Sequence, residues 1–299
     1  MAPASSPAGH PADRIVTSVA DRRRTVIDAI RGARREIVLS LFRCNDEDVL
    51  TELADATARG VEVNVLVTSR VKGGPKKIKK LWKALERTGA SIHAYSDPVV
   101  KYHAKYLVAD AGPAIVGSCN FTRKCFDRTC DALVVTYDPE VVSGLRQLMA
   151  ADREGRPVPS SITSRLILGP ERARLQLTAL ISGARSSIRL IDAKLSDPDL
   201  VSRLETLRNS GLTVEVYGSK KLGDLKSHGK IMLVDGRTAV VGSLALAALS
   251  LDLRREVAIV VEQTEAVAEV EQLFQTIRAD STPIKGRIIA GEASAEARC

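Results

Sequence analysis

The sequence predicts an α/β protein made of two related halves. Three observations lead there. Apolar runs of strand length alternate with capped amphipathic segments of helix length. The pattern of the first half recurs at a constant distance in the second, and a block built on a His-x-Lys pair occurs twice. Two unrelated α/β units are the alternative; an offset held over about thirty residues weighs against it.

The repeat is legible element by element. The stretch 29–39 resembles 180–190, with Gly32 matching Gly183 and Gly60 matching Gly211, both 151 residues apart. Between each pair of glycines an apolar strand comes first, Ile37–Phe42 or Ile188–Ile191. A helix follows, with Asn45 or Asp197 as the expected N-cap and Pro198 at a first helical position. Gly60 and Gly211 suit the left-handed residue that ends a helix. A second strand comes next, Val61–Val67 or Leu212–Tyr217. Further on, His103 and His228 stand only 125 apart, so the first half holds 26 extra residues. These include a basic helix near Lys76–Arg87 and a strand near Ser91–Tyr95. In each half the alternation predicts a largely parallel or mixed sheet. The domain reading is a first repeat over 14–152, a linker over 153–163 and a second repeat over 164–281. Disordered tails are expected at 1–13 and 282–299.

The chain has 299 residues, 44 Lys and Arg against 36 Asp and Glu, and a formal charge of +8, which favours an anionic partner. The five cysteines form no CxxC pair. That argues against a disulfide framework or a zinc site and for reduced thiols in a cytoplasmic protein. The N-terminus lacks the apolar region of a signal peptide. The most apolar stretch, Ala239–Leu251, is too short to cross a bilayer, so membrane association would be peripheral. A monomer is the expected state.

The chemistry sits in the duplicated block. The first copy has His103, Lys105, Asp110, Gly117, Ser118 and Asn120; the second has His228, Lys230, Asp235, Gly242, Ser243 and, in place of the asparagine, Ala245. Five fixed residues at these spacings arise by chance on the order of once per few million start positions, so the second copy is no coincidence. A His-x-Lys pair on a strand puts both side chains on one face. Asp235 and Gly236 signal a hairpin turn, and Asp110 holds the matching place, so both aspartates read as structural. Asp131 and Glu256 each follow their Gly-Ser pair at the same distance and open an apolar strand. A carboxylate there can accept an imidazole N–H and fix its tautomer. Two ammonium groups neutralise a phosphodiester, and histidine serves as both nucleophile and proton donor near neutral pH.

These residues resemble the duplicated HxK(x)4D(x)6GS motif of the phospholipase D superfamily, and the likeness covers nearly the whole chain. The stretch 251–257 is similar to the lipases and cardiolipin-synthase-like members. The resemblance implies two copies packed about a pseudo-twofold axis around one site. One histidine would attack phosphorus, His103 because its copy is complete, while His228 protonates the leaving oxygen. Lys105, Lys230, Ser118, Asn120 and Ser243 would hold phosphate oxygens, with Asp131 and Glu256 orienting the imidazoles and Gly117 and Gly242 completing the motif. No metal and no cofactor are implied.

The likeness of 251–257 favours a phospholipid substrate, with a nucleic acid as the alternative. A phospholipid headgroup, as the object of hydrolysis or of phosphatidyl transfer, and a nucleic-acid backbone present the same diester. A duplicated motif is also compatible with a non-catalytic binding module. Few aromatic residues disfavour a base-stacking groove. The basic helix, with Lys76, Lys77, Lys79, Lys80 and Lys83, is either an ordinary solvated face or a dock for anionic lipid or nucleic acid. Trp82 on that helix suits a core position better than a membrane interface.

Overall fold

Alternating capped helices and β-rich apolar runs fold into two halves with one shared plan. The computed structural model describes residues 12–69, 75–218, 221–284 and 288. In the first half the order is β1 (Arg14–Val16), α1 (Val19–Gly32), β2 (Glu36–Leu41), α2 (Glu47–Ala58), β3 (Glu62–Thr68), α3 (Pro75–Glu86) and β4 (Ser91–Tyr95). It continues with β5 (Lys101–Tyr102), β6 (Tyr106–Ala109), β7 (Ala114–Gly117), α4 (Arg123–Arg128), β8 (Thr129–Cys130), β9 (Leu133–Thr136) and α5 (Pro139–Glu154). The second half opens with β10 (Leu166–Gly169), α6 (Ala173–Ser182), β11 (Ser187–Ile191), α7 (Pro198–Asn209) and β12 (Thr213–Tyr217). It closes with β13 (Lys221–Leu222), β14 (Leu225–Ser227), β15 (Ile231–Val234), β16 (Thr238–Gly242), α8 (Ala248–Asp252), β17 (Arg254–Val261) and α9 (Thr264–Asp280).

The first sheet runs β1-β9-β7-β6-β2-β3-β4 and the second β10-β17-β16-β15-β11-β12, the same path strand for strand. The strand without a counterpart is β4. It adds to the free edge of β3, with α3 leading into it, so the extra residues of the first half build one helix and one edge strand. The sheets are mixed, and less parallel than the alternation of strand and helix suggests. Along these two paths, parallel pairing is confined to β2-β3-β4 and β11-β12, where helices cross over; β5 also joins β17, and β14 joins β8, in parallel. The motif strands turn back through hairpins and therefore pair antiparallel.

Local chemistry repeats with the strands. Asp46 and Asp197 cap α2 and α7, accepting from Val49 N at 3.4 Å and Leu200 N at 3.1 Å. Asn45, the expected cap of the first, lies one residue outside, where its Oδ1 accepts from Arg123 N instead. Each capping aspartate is held by an arginine that also grips the short helix of its own half. Arg23 bonds Asp46 and Asp127; Arg174 bonds Asp197 and Asp252. Gly60 and Gly211 follow their helices in the left-handed region, at φ 83° and 99°.

The core has three parts. Outer clusters fill each half beneath its own helices, with Ile30, Leu39 and Leu53 in the first and Ile181, Leu190 and Leu204 in the second. A central cluster joins the halves. It takes Val116, Val134 and Leu145 from one side and Val241, Val257 and Phe274 from the other. Helices α5 and α9 bury their apolar faces in it, which fixes how the two sheets oppose each other. Beyond residue 281, where the sequence places a tail, Ile284 N still bonds Val216 O and Ile288 is buried. Most of both expected tails lies outside the described residues.

On α3, Leu81 and Leu85 are buried and Trp82 packs against the first-half core. Lys76, Lys79, Lys80 and Lys83 are exposed, while the side chain of Lys77 lies outside the described residues. Among the described residues no helix is long and apolar enough to cross a membrane.

Candidate active site

Both His-x-Lys pairs lie in short extended links, not on strands. His103 and Lys105 join β5 to β6, and His228 and Lys230 join β14 to β15. The reason is that each link changes sheets. Strand β5 pairs parallel with the start of β17, setting Tyr102 beside Arg255, while β6 belongs to the first sheet. Strand β14 pairs parallel with β8, setting Ser227 beside Cys130. The chain before each histidine is thus borrowed by the other half, immediately ahead of that half's carboxylate.

The consequence is a crossed arrangement. His103 Nδ1 stands 2.8 Å from Glu256 Oε2, and His228 Nδ1 stands 3.0 Å from both oxygens of Asp131. An ionised carboxylate only accepts, so each Nδ1 carries the proton and each Nε2 presents a lone pair. Both carboxylates are fully buried. Burial alone would raise Asp131, but His228, Ser118 and Thr129 hold it down to about 2. Glu256 is likewise held low against its burial by His103, Lys105 and Ser243. His103 lies well below the ordinary imidazole value because it is buried and next to Lys105, despite the pull of Glu256. For His228 the upward pull of Asp131 is outweighed by burial together with Lys230 and Lys105.

The lysines occupy the floor. Lys105 is buried; its Nζ lies 3.1 and 3.3 Å from the two ring nitrogens of His103 and donates to His103 O at 2.5 Å. Burial lowers it to about 7, with Glu256 opposing and Lys230 adding to the fall. Lys230 Nζ donates to His228 O in the same way. Since Lys230 acts on Lys105 and Lys105 on His228, charges of both motifs bear on one place.

The remaining motif residues divide. Ser118 and Ser243, expected on a phosphate, are buried and face the carboxylates. Ser118 Oγ donates to Asp131 at 2.6 Å, and Ser243 Oγ accepts from Val257 N at 3.1 Å. Asn120 is different: its Oδ1 is buried with no hydrogen-bond partner among the described residues. Asp110 and Asp235 sit in the turns at the far ends of β6 and β15, at φ 46° and 53°. Each accepts from three successive backbone N–H groups, of Arg34, Arg35 and Glu36 or of Arg185, Ser186 and Ser187. Gly242 is a packing glycine, since a Cβ there would stand 2.3 Å from the Ala258 Cα. At Gly117 a Cβ would crowd only the end of the Leu133 side chain, at 2.7 Å.

Three neighbours were not legible as site residues. Phe42 tilts against the His103 ring, with centroids 4.5 Å apart, and Lys105 Nζ lies 5.4 Å from its ring centre. Asp192, buried near Lys230, bonds the Leu246 and Lys194 backbone N–H groups. Cys125 brings its thiol beside Asp131 and His228. A lone aromatic, aspartate or cysteine outside the repeated motif residues gives no sequence signal; the offset of 151, which pairs Phe42 with Ala193, marks only that the halves differ there.

The family model described as cardiolipin synthase, PLD-like domain, matches residues 26–153 and 213–278. The chain belongs to the PLD-like family. The chain is 30% identical over 123 residues to a phospholipase D of Rickettsia bellii, covering 41% of this chain and 59% of that one. The chain therefore spans less than two thirds of that relative. Phosphatidylserine synthase of Haemophilus influenzae shares the fold at a TM-score of 0.70 and 12% identity, over 92% of this chain and 88% of that one. Polyphosphate kinase of Porphyromonas gingivalis does so at a TM-score of 0.71 and 18% identity, over 88% of this chain and 46% of that one.

Proposed function

We propose that this PLD-like protein is a phosphodiesterase acting on phospholipid headgroups, by hydrolysis or by transfer to an alcohol, through a phosphohistidine intermediate. The observation that supports it most is the crossed pair of carboxylate-held imidazoles over two buried lysines. Neither half holds a complete set alone. A diester lying across the two lysines could accept from the Asn120 Nδ2 and would raise the affinity of His228 for a proton.

The roles follow from the two environments. His103, kept neutral by burial and Lys105, attacks phosphorus through Nε2, and a P–N bond forms as the P–O bond to the leaving group breaks. His228, protonated once the anionic substrate is bound, gives its Nε2 proton to the leaving oxygen. Water, or an alcohol, then gives a proton back to His228 Nε2 and attacks phosphorus, and the P–N bond breaks. Asp131 and Glu256 hold the imidazoles and balance the imidazolium charge without taking a proton. Lys105, Lys230 and Asn120 carry the phosphoryl oxygens. Ser118 and Ser243 brace the carboxylates and their strands.

A lipid is favoured over nucleic acid by the rim. Val99, Leu249 and Leu253 are exposed large apolar side chains. Leu253 bonds both Leu249 and Lys101 through the backbone, and Lys101 stands two residues before His103 in the chain. An apolar edge flanked by Lys101 suits an anionic lipid surface better than a solvated sugar-phosphate chain. The decisive test is to quench a turnover mixture in base and map the adduct by mass spectrometry. Phosphohistidine at His103, absent in His103→Ala, is the expected result. An adduct on His228 alone would reverse the roles, and turnover with no adduct on either would sink the mechanism.

A further inference from the structure

The two carboxylates are supported differently: Thr129 Oγ1 donates to Asp131 where the second half has Arg254, and the halves differ again six residues upstream. Six residues before Glu256 stands Ser250, whose Oγ donates to Glu256 at 2.9 Å. Six residues before Asp131 the corresponding residue is Cys125, near the start of α4. Its Sγ, a carboxylate oxygen of Asp131 and a ring nitrogen of His228 all lie within 4.8 Å of one another. The second half has a hydroxyl where the first has a thiol, so only the Asp131–His228 side gathers sulfur, nitrogen and oxygen ligands.

We propose that Cys125, Asp131 and His228 form an inhibitory site for zinc or a similar thiophilic divalent cation. Thiolate, imidazole and carboxylate are the mixed set that zinc prefers. Metal–ligand bonds of about 2.0–2.3 Å place tetrahedral ligand atoms roughly 3.6 Å apart, so the three groups need draw in by only about an ångström. Three protein ligands leave the fourth position to water. On binding, the thiol releases its proton to solvent. The His228 proton moves from Nδ1 to Nε2 as Nδ1 takes up the metal. An imidazole held this way keeps Nε2 protonated and cannot accept a proton from water, and Asp131 loses its role. No spacing rule finds this set, because the ligands come from both halves.

The inhibitory consequence rests on the catalytic reading of His228; the binding does not, and the two are tested separately. Cobalt(II) added to the full chain should give thiolate-to-metal charge-transfer absorption in the wild type and none in Cys125→Ser, with Cys299→Ser as a control that keeps it. Zinc should stop hydrolysis of a chromogenic phosphodiester, with recovery on adding EDTA. Cys125→Ser, which copies Ser250, should keep basal activity and need at least about tenfold more zinc. Cys125→Ala, checked by thermal melting, guards against a folding defect in the serine variant. Absorption of equal strength in Cys125→Ser, or none in the wild type, overturns the site. Absorption without inhibition keeps the site and overturns the role given to His228.

Discussion

Glu256 Oε2 lies 2.8 Å from Nδ1 of His103, although 153 residues separate them and they belong to different repeats. Asp131 and His228 repeat the relationship in reverse. Each carboxylate is thus coupled to the other half's chemistry. Glu256→Gln tests this. A glutamine amide can donate to Nδ1, which would move the ring proton to Nε2 and silence a nucleophilic His103. The expected loss in kcat is about 10⁴-fold, as for a tautomer-fixing carboxylate replaced by its amide. Loss of the His103 adduct in the same variant is the second readout. A Glu256→Gln enzyme that still forms the adduct at the normal rate would falsify the tautomer argument.

Much of this was legible in the sequence because repetition exposes it. The offset of 151 pairs Arg23 with Arg174 as well as the glycines, and the carboxylates Asp131 and Glu256 share one spacing from their Gly-Ser pairs. What the sequence does not reveal is which partner each residue meets. Spacing says that Asp131 serves a histidine; only the pairing of β14 with β8 says that it serves His228. The period-two reading of His-x-Lys sets both side chains on one side, where Lys105 does meet the His103 ring, but on a strand, whereas a link that leaves one sheet for another has no ladder of its own. The resemblance puts Ser118 on phosphate; its hydrogen bond to Asp131, 13 residues on, comes from the pairing of β7 with β9 and has no local sequence signal.

The activity profile against pH should carry the mark of Lys105. Burial lowers it to about 7, so its ammonium is present below that pH and is lost as pH rises through it. Both imidazoles lie below their ordinary value, so they stay neutral to lower pH than a free histidine. Because His228 acts as the protonated acid, the free-enzyme profile of kcat/KM should fall as pH rises through the lowered His228 value, below about 6.5, and fall more steeply above about 7 as Lys105 is lost, with an acid limb from His103 lower still. The profile of kcat should hold to higher pH, because a bound phosphate stabilises the ammonium. A kcat/KM plateau extending beyond about pH 9 would exclude this assignment.

Arg255 links the halves one residue before Glu256. It is buried, with Nε 2.8 Å from Asp152 Oδ1 on α5 and Nη1 2.7 Å from Gly169 O, and it also pairs with Glu171. Its carbonyl accepts from His103 N at 2.9 Å. Arg255→Ala leaves Asp152 buried without its cation, at an expected cost of about 3–5 kcal/mol in urea denaturation. Removing both charges in Arg255→Met/Asp152→Leu should recover much of that stability. A single variant within about 0.5 kcal/mol of the wild type would show that the pair adds nothing to joining the halves.

The substrate class can be separated from the chemistry through α3 and the apolar rim. Helix α3 belongs to the insertion that the second half lacks, and its exposed lysines lie outside the motif links. If the substrate is a lipid at a membrane, the protein should pellet with phosphatidylglycerol vesicles, and less so as salt rises, because surface charges are screened. Replacing Lys76, Lys77, Lys79 and Lys80 with Gln should weaken pelleting by about 1 kcal/mol per lysine that reaches the surface. Leu249→Ser with Leu253→Ser should weaken it in a way that salt does not mimic, since the lost contact is apolar. Neither set should change hydrolysis of a small soluble diester, which needs only the two motifs. One preparation assayed on phosphatidylglycerol and phosphatidylcholine vesicles and on single- and double-stranded DNA then decides between the readings. Headgroup release from vesicles with intact DNA is the expected outcome. Cleaved DNA with intact lipid would overturn the lipid assignment while leaving His103 and His228 in place, because both polymers and lipids present them with the same bond.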